Sequence, residues 1–300
     1  MMGWDRSSTC LVGKTAIVTG SNSGIGFYTA QDFAKRGARV ILACRDSKRA
    51  EEARSKIVEA TGNPNVVVRI LDLGSLDSIR AFAKEINETE ERLDILVNNA
   101  GVAGFEHQLT ADGLSLTMQI NHFGPFLLTY LLIGLLKKSA PSRVVNVSSD
   151  AAMIAKLDLE NLNGPPNAFL TKTVDYANSK LCNILFTNEL ALRLEGSGVE
   201  TYSIHPGAVK TEFFKNMSST ASRKVFETAA KMFYKTAEEG AQTSIYASVS
   251  KDVIGKSGEY FADCKKNRKP RAARDKELAK KLWEKSEEFV KLTAEERQLL

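Results

Sequence analysis

The strongest constraint on this chain is the regular alternation of short Val/Ile-rich runs with longer stretches of helical period. KTAIVT (14–19), RVILA (39–43), VVVRIL (66–71), DILV (94–97), RVVNVS (143–148), VETYSI (199–204) and GEYFA (258–262) read as strands. Between them, Ala50, Ala53, Ile57 and Ala60 recur at spacings of three and four, as do Ile79, Phe82 and Ile86. Strands that are apolar nearly throughout are buried on both faces, so helices must cover both sides of a parallel sheet. Crossovers of one hand then give a single doubly wound α/β domain, with a mainly parallel sheet of about seven strands flanked by helices. No Pro-, Gly- or Ser-rich linker divides the chain and no internal repeat interrupts it. Residues 1–300 therefore read as one domain, with a basic segment and C-terminal helix over 265–300. Segments 150–173 and 211–236 stand outside the regular pattern.

Composition narrows the function classes. Hydrophobic residues are 43% and charged residues 26%, the balance of an ordinary soluble globular protein. A net charge of +5 is too small to imply nucleic acid without a clustered face. Cys10, Cys44, Cys182 and Cys264 are scattered, and His107, His122 and His205 complete no ligand spacing, so no metal site is expected. The run FLLTYLLIGLL (126–136) is too short to span a bilayer and reads as a buried helix. The N-terminal residues show no signal-peptide pattern. The expected location is cytoplasmic or peripherally membrane-associated, with no transmembrane segment. Segment 265–276, KKNRKPRAARDK, reads as a solvated loop, with weak contact to an anionic membrane surface as the alternative. It lacks the interleaved aromatics of a single-strand nucleic-acid surface.

The first strand runs into TGSNSGIG (19–26), a GxxxGxG loop opening a helix. Gly20 can make the tight turn, Gly24 lets backbone approach a pyrophosphate, and Gly26 lets the helix pack on the sheet. Together with Ser21, Asn22, Ser23 and Ile25, these residues bring a helix N-terminus to a negative charge. The alternative is a tight turn without a ligand. The second strand ends at Cys44 and Arg45, where an acid would hold a free ribose 2′-hydroxyl. A guanidinium there pairs with a 2′-phosphate, so NADP(H) is expected over NAD(H). Asp46 could instead partly neutralise Arg45. Farther on, Tyr176 and Lys180 stand four apart on one helix face. A nearby ammonium favours the phenolate, which makes this a possible acid–base pair.

In order along residues 13–264, TGSNSGIG, Asp72-Leu73, NNAG (98–101), Asn121, NVSS (146–149), YANSK (176–180) and PGAVKT (206–211) resemble the short-chain dehydrogenase/reductases, which share a Rossmann fold. ACRD (43–46), NHFGPFLLT (121–129), HPGAVKTE (205–212) and SGEYFADC (257–264) resemble the retinol dehydrogenase branch. The resemblance implies an NADP(H)-dependent oxidoreductase for a small lipophilic alcohol, aldehyde or ketone, retinoid-like first. Steroid, prenyl-alcohol and lipid-aldehyde substrates are alternatives, as is a catalytically silent NADP(H)-binding scaffold. It implies Tyr176 as general acid or base, Lys180 as its pKa tuner and ribose ligand, and Ser149 as the substrate-oxygen ligand, with Ser148 the competing serine. Asn121 would hold a water linking Lys180 to solvent, or act only at a helix kink. Asp72 and Leu73 would meet the adenine, while Asn99, Ala100 and Gly101 would line the ribose, Asn99 also tying strands together. Pro206, Gly207, Val209 and Thr211 would cover the nicotinamide. His122, His205 and Cys182 read as scaffold. The long stretch 150–175, with Leu157, Leu159, Leu162, Phe169 and Leu170, is expected to wall an apolar pocket. Homo-oligomers occur among related enzymes.

Overall fold

A computed structural model describes residues 4–5, 7–104, 107–164, 171–209 and 235–300. The seven runs read from the sequence are all strands: β1 (Thr15–Thr19), β2 (Arg39–Cys44), β3 (Val66–Ile70), β4 (Ile95–Asn98), β5 (Ser142–Val147), β6 (Val199–His205) and β7 (Tyr260–Ala262). They lie parallel in the order β3-β2-β1-β4-β5-β6-β7. An eighth strand, β8 (Lys265–Lys266), adds antiparallel to β7 and takes the first residues of the basic segment out of the expected solvated loop. Chain order reverses between β1 and β4, so the loops leaving these two strands open a crevice at the sheet's C-terminal edge.

Helices cover both faces, as buried strands require. One face carries α1 (Gly24–Lys35), α2 (Ser47–Thr61) and α6 (Ala237–Val249), packed around Phe33, Val40 and Tyr202. The other carries α3 (Leu76–Thr89), α4 (Leu116–Lys138), α5 (Thr171–Arg193) and α7 (Lys276–Phe289). Phe126, Phe186 and Trp283 interlock beneath that second face, with Phe126 edge-on to Trp283 at 4.8 Å. Helix α4 is long and apolar enough to cross a membrane, but 83% of its most apolar window is buried in this core. That burial marks it as the core helix expected from residues 126–136. Leu162 is buried in the same core, and the partly buried Leu157 and Leu159 pack against it. Phe169 and Leu170 lie outside the described residues.

Two features of this frame set the site. Buried Asn98 at the end of β4 donates to Asn146 Oδ1 on β5 and to Thr129 Oγ1 on α4; Asn146 in turn donates to Thr187 Oγ1 on α5. This chain of amides fixes α5 against the ends of both strands. In α4, Gln119–Phe123 form a π turn, which places Asn121 under the loop that leaves β4.

Candidate active site

The glycine loop is held by its own polar atoms. Gly20 sits at φ +64, a left-handed conformation, and a Cβ there would lie 3.0 Å from Ala100 Cα. At Gly26 a Cβ would come within 2.5 Å of Asn99 Nδ2 and 2.6 Å of the Gly20 carbonyl, so only glycine lets α1 reach the loop. Asn99 Nδ2 donates to the Thr19 carbonyl at 2.9 Å, tying β4 to β1 as well as facing the crevice. Buried Ser21 donates to Val18 O, so its hydroxyl serves the turn. Asn22 and Ile25 are half-buried and Ser23 is exposed. Ser23 makes no side-chain cap, and the first turn of α1 holds no acid. The amides at this helix end are therefore open to an anion.

Cys44 is buried, with Sγ 3.5 Å from Ser21 Oγ, and burial pushes its thiol pKa up. Arg45 is exposed and makes no ion pair among the described residues. Asp46 is occupied as the cap of α2, accepting from Arg49 N, rather than neutralising Arg45. Asp72 Oδ1 accepts from Gly74 N at 2.9 Å and holds its own turn, while the Leu73 side chain is buried in the core.

Around α5 the groups converge. Lys180 is buried; its Nζ donates to the Val147 carbonyl at 3.0 Å and lies 5.5 Å from the Tyr176 ring centre. Burial lowers its pKa to about 8. Asn121 Oδ1 accepts from Val102 N at 2.7 Å, and its Nδ2 donates to Val102 O and Ser179 Oγ. Asn121 is thus both the residue at the kink and a clamp on the β4 loop. A Cβ at Gly101 would lie 3.3 Å from both Asn121 Oδ1 and Lys180 Nζ, so the three meet at one point. Ser149 caps the 3-10 turn Asp150–Ile154 and hydrogen-bonds with Tyr176. Ser148 faces away, its hydroxyl donating to the Lys180 carbonyl at 2.6 Å, which separates the two serines as strand alternation requires.

Burial raises the Tyr176 phenol to about 12, partly offset by the bond with Ser149. His122 is buried among Phe123, Phe126 and Phe186, bonded to Ser286, and held neutral with its pKa lowered to about 3 by burial. His205 pairs with Asp150 at 3.1 Å and anchors the turn that follows Ser149. Cys182 is a core residue.

At the far end of the crevice, buried Pro206 precedes Gly207, and Val209 bridges to Lys235. Thr211 lies outside the described residues. The sequence reading passed over Lys235, whose side chain lies along Gly207 and pairs with Asp263. It also passed over Ser179 and over Arg49, whose charge reaches the Cys44 thiol. A spacing of four from Arg45 was the only available signal for Arg49; Lys235 and Asp263 are joined only by the fold. Among the described residues no group of three or more His, Cys, Asp or Glu could hold a metal ion.

Residues 14–161 match the short chain dehydrogenase family. Retinol dehydrogenase 14 of Mus musculus is 46% identical over 289 residues, covering 93% of this chain and 86% of that protein. The chain belongs to the short-chain dehydrogenase/reductase family. Within it, the chain falls in the retinol dehydrogenase branch. A crystal structure of an uncharacterized protein from Mycobacterium Paratuberculosis superposes with a TM-score of 0.77 at 32% identity, over 96% of this chain and 98% of that one. The Pseudomonas aeruginosa RhlG/NADP active-site complex does so at 0.68 and 26% identity, over 84% and 95%. Membership makes this short-chain dehydrogenase/reductase an oxidoreductase that takes a nicotinamide cofactor. The open α1 terminus and the Gly101 recess, which a Cβ would fill, fit such a dinucleotide.

Proposed function

We propose that the chain is an NADP(H)-dependent oxidoreductase acting on a lipophilic alcohol, aldehyde or ketone, with retinol and retinal first. The observation that carries this reading is the meeting of Ser149 with Tyr176, and of Lys180 with Asn121, below the glycine loop. The names of the retinol dehydrogenase relatives support the substrate class, and the NADP in the RhlG complex is consistent with the cofactor. When bound, the nicotinamide supplies or accepts the hydride.

The chain's own residues do the rest. The loop residues Gly20, Ser21, Asn22, Ser23, Gly24, Ile25 and Gly26 receive the pyrophosphate through backbone amides and the α1 terminus. The exposed Arg45 guanidinium pairs with the 2′-phosphate. Asp72 and Leu73 border the adenine; Asn99, Ala100 and Gly101 line its ribose. Lys180 holds the nicotinamide ribose, and Pro206, Gly207 and Val209 cover the ring. Ser149 donates to the substrate oxygen, orienting it toward Tyr176. The phenol stays protonated at neutral pH, which suits the acid that protonates a carbonyl oxygen as reduction proceeds. In the oxidative direction the Tyr176 phenolate takes the alcohol proton, its own having first left along a water path that Asn121 orders from Lys180 to solvent.

Single-turnover mixing of the NADPH-loaded chain with retinal, a steroid ketone and a long-chain lipid aldehyde tests the reading. NADPH oxidation fastest with retinal is the expected result. Tight NADPH binding with no oxidation by any carbonyl would identify a silent scaffold instead.

A further inference from the structure

Ser149 is bracketed by two fixed neighbours. Before it, Ser148 Oγ donates to the Lys180 carbonyl at 2.6 Å. After it, Asp150 is held from two strand ends. The Asp150 backbone amide donates to His205 Nδ1 at 3.2 Å, and Oδ2 lies 3.1 Å from His205 Nε2. Oδ1 accepts from the Tyr260 hydroxyl at 3.2 Å. His205 closes β6 and Tyr260 opens β7, so two paired strands grip one residue.

The bonding pattern is directional. His205 Nδ1 accepts the amide N–H, so the ring proton sits on Nε2 and points at the carboxylate. That bond holds the Asp150 carboxyl below the usual carboxylate range, which keeps it an acceptor at neutral pH. Burial pushes the Tyr260 phenol up, so it keeps the proton that it donates. The Asp150 side chain is 58% exposed, and ion pairs open to water contribute little to stability. What the three bonds fix is the backbone at the start of the turn Asp150–Ile154. With it they fix the Ser149 oxygen, which accepts from Ala151 N at 3.2 Å while meeting Tyr176.

We propose that Asp150, His205 and Tyr260 are positioning residues for Ser149: they lock the turn so that the serine hydroxyl faces Tyr176. Their part in turnover rests on the function proposed above; their hold on the Ser149–Tyr176 bond does not.

Nuclear magnetic resonance of the full chain with isotope-labelled tyrosine Cζ tests the proposal, with Tyr176→Phe identifying the Tyr176 signal. Asp150→Ala should move that signal in the same direction as Ser149→Ala does, and to a similar extent. Tyr260→Phe, which removes one hydroxyl, should give a smaller shift of the same sign. In carbonyl reduction, Asp150→Ala should lower kcat on the order of tenfold, since small misplacements of an orienting group are costly. The NADPH dissociation constant should hold. In a Ser149→Ala background the same substitution should cost no further turnover, because its effect runs through that hydroxyl. Asp150→Asn should restore most of the loss, its amide oxygen accepting from His205 and its nitrogen donating to the Tyr260 oxygen. A Tyr176 signal left in place by Asp150→Ala, or an equal loss of turnover in both backgrounds, would overturn the proposal and leave the cluster a structural anchor. A parent chain that reduces no carbonyl would sink the catalytic reading, and the Tyr176 signal would then decide this one by itself.

Discussion

Around the glycine loop, polar side chains are tied to backbone: Ser21 to Val18, Asn99 to Thr19, and Thr19 Oγ1 accepting from both Asn99 N and Ala100 N. Around α5 polar side chains are tied to backbone too, Lys180 to Val147 and Asn121 to Val102, but the burial falls on titratable groups. There an ammonium and a phenol are drawn out of water, the one lowered to about 8 and the other raised to about 12. The first region is a rigid shape that offers amides and one exposed guanidinium to a ligand. The second holds reactive groups at a cost in stability, because desolvation of a charge is only partly offset by its partners. The difference teaches that binding and chemistry can be separated by substitution.

The largest effect is expected at Tyr176. Tyr176→Phe removes the proton but keeps the ring beside Lys180, so turnover should fall by about 10²–10⁴-fold, the usual contribution of a positioned acid. NADPH binding, measured by calorimetric titration, should change little. Turnover near that of the parent would break the comparison by taking the chemistry away from α5.

Next comes Arg45→Ala. A charge-assisted contact contributes about 1.5–3 kcal/mol, so the NADPH dissociation constant should rise roughly 10- to 100-fold while that for NADH holds. Arg45 is exposed, so the difference should shrink as salt rises. Adding Cys44→Asp should then tilt the preference to NADH, by offering a carboxylate to a free ribose hydroxyl. Equal losses for both cofactors would mean that Arg45 supports the fold or the adenine.

Gly26→Ala sharpens the contrast from the rigid side. Its new Cβ meets backbone at Gly20 O and the bound amide of Asn99, neither of which can swing away. Overpacking of this kind costs about 1–3 kcal/mol, read as a lower denaturation midpoint together with weaker cofactor binding. An unchanged midpoint would show that the loop yields.

How much of this was legible in the sequence follows from the range of each interaction. The seven main strands are local runs of buried residues, and the glycine loop is a local spacing, so both read directly. Strand β8 did not, because its hairpin turns through Asp263 and Cys264 at φ +50 and +54 without a glycine to announce it. The packing of Leu157, Leu159 and Leu162 depends on a core assembled from distant helices. The Lys235–Asp263 pair and the His205–Asp150 pair join residues that no spacing relates. At Tyr176 and Lys180, spacing gave the shared helix face, but the direction of the ammonium depends on the Val147 carbonyl at the end of β5.

The smallest effect is also the most specific to buried charge. Lys180 titrates at 10.5 in its ordinary state and at about 8 in the fold, so folding expels its proton rather than holding it. The sign follows: the unfolded chain binds more protons between these values, and stability rises with pH across that window. Below about pH 8 the full penalty is present, roughly 3 kcal/mol from the size of the drop. Lys180→Met removes the penalty but also the bond to Val147, which takes back about 1–2 kcal/mol. The variant should therefore be more stable at pH 7 by about 1–2 kcal/mol in urea unfolding, with no turnover, and its advantage should disappear by pH 10.5. A variant less stable than the parent at pH 7 would mean that the ammonium is well satisfied where it lies, and α5 would then be as self-contained as the glycine loop.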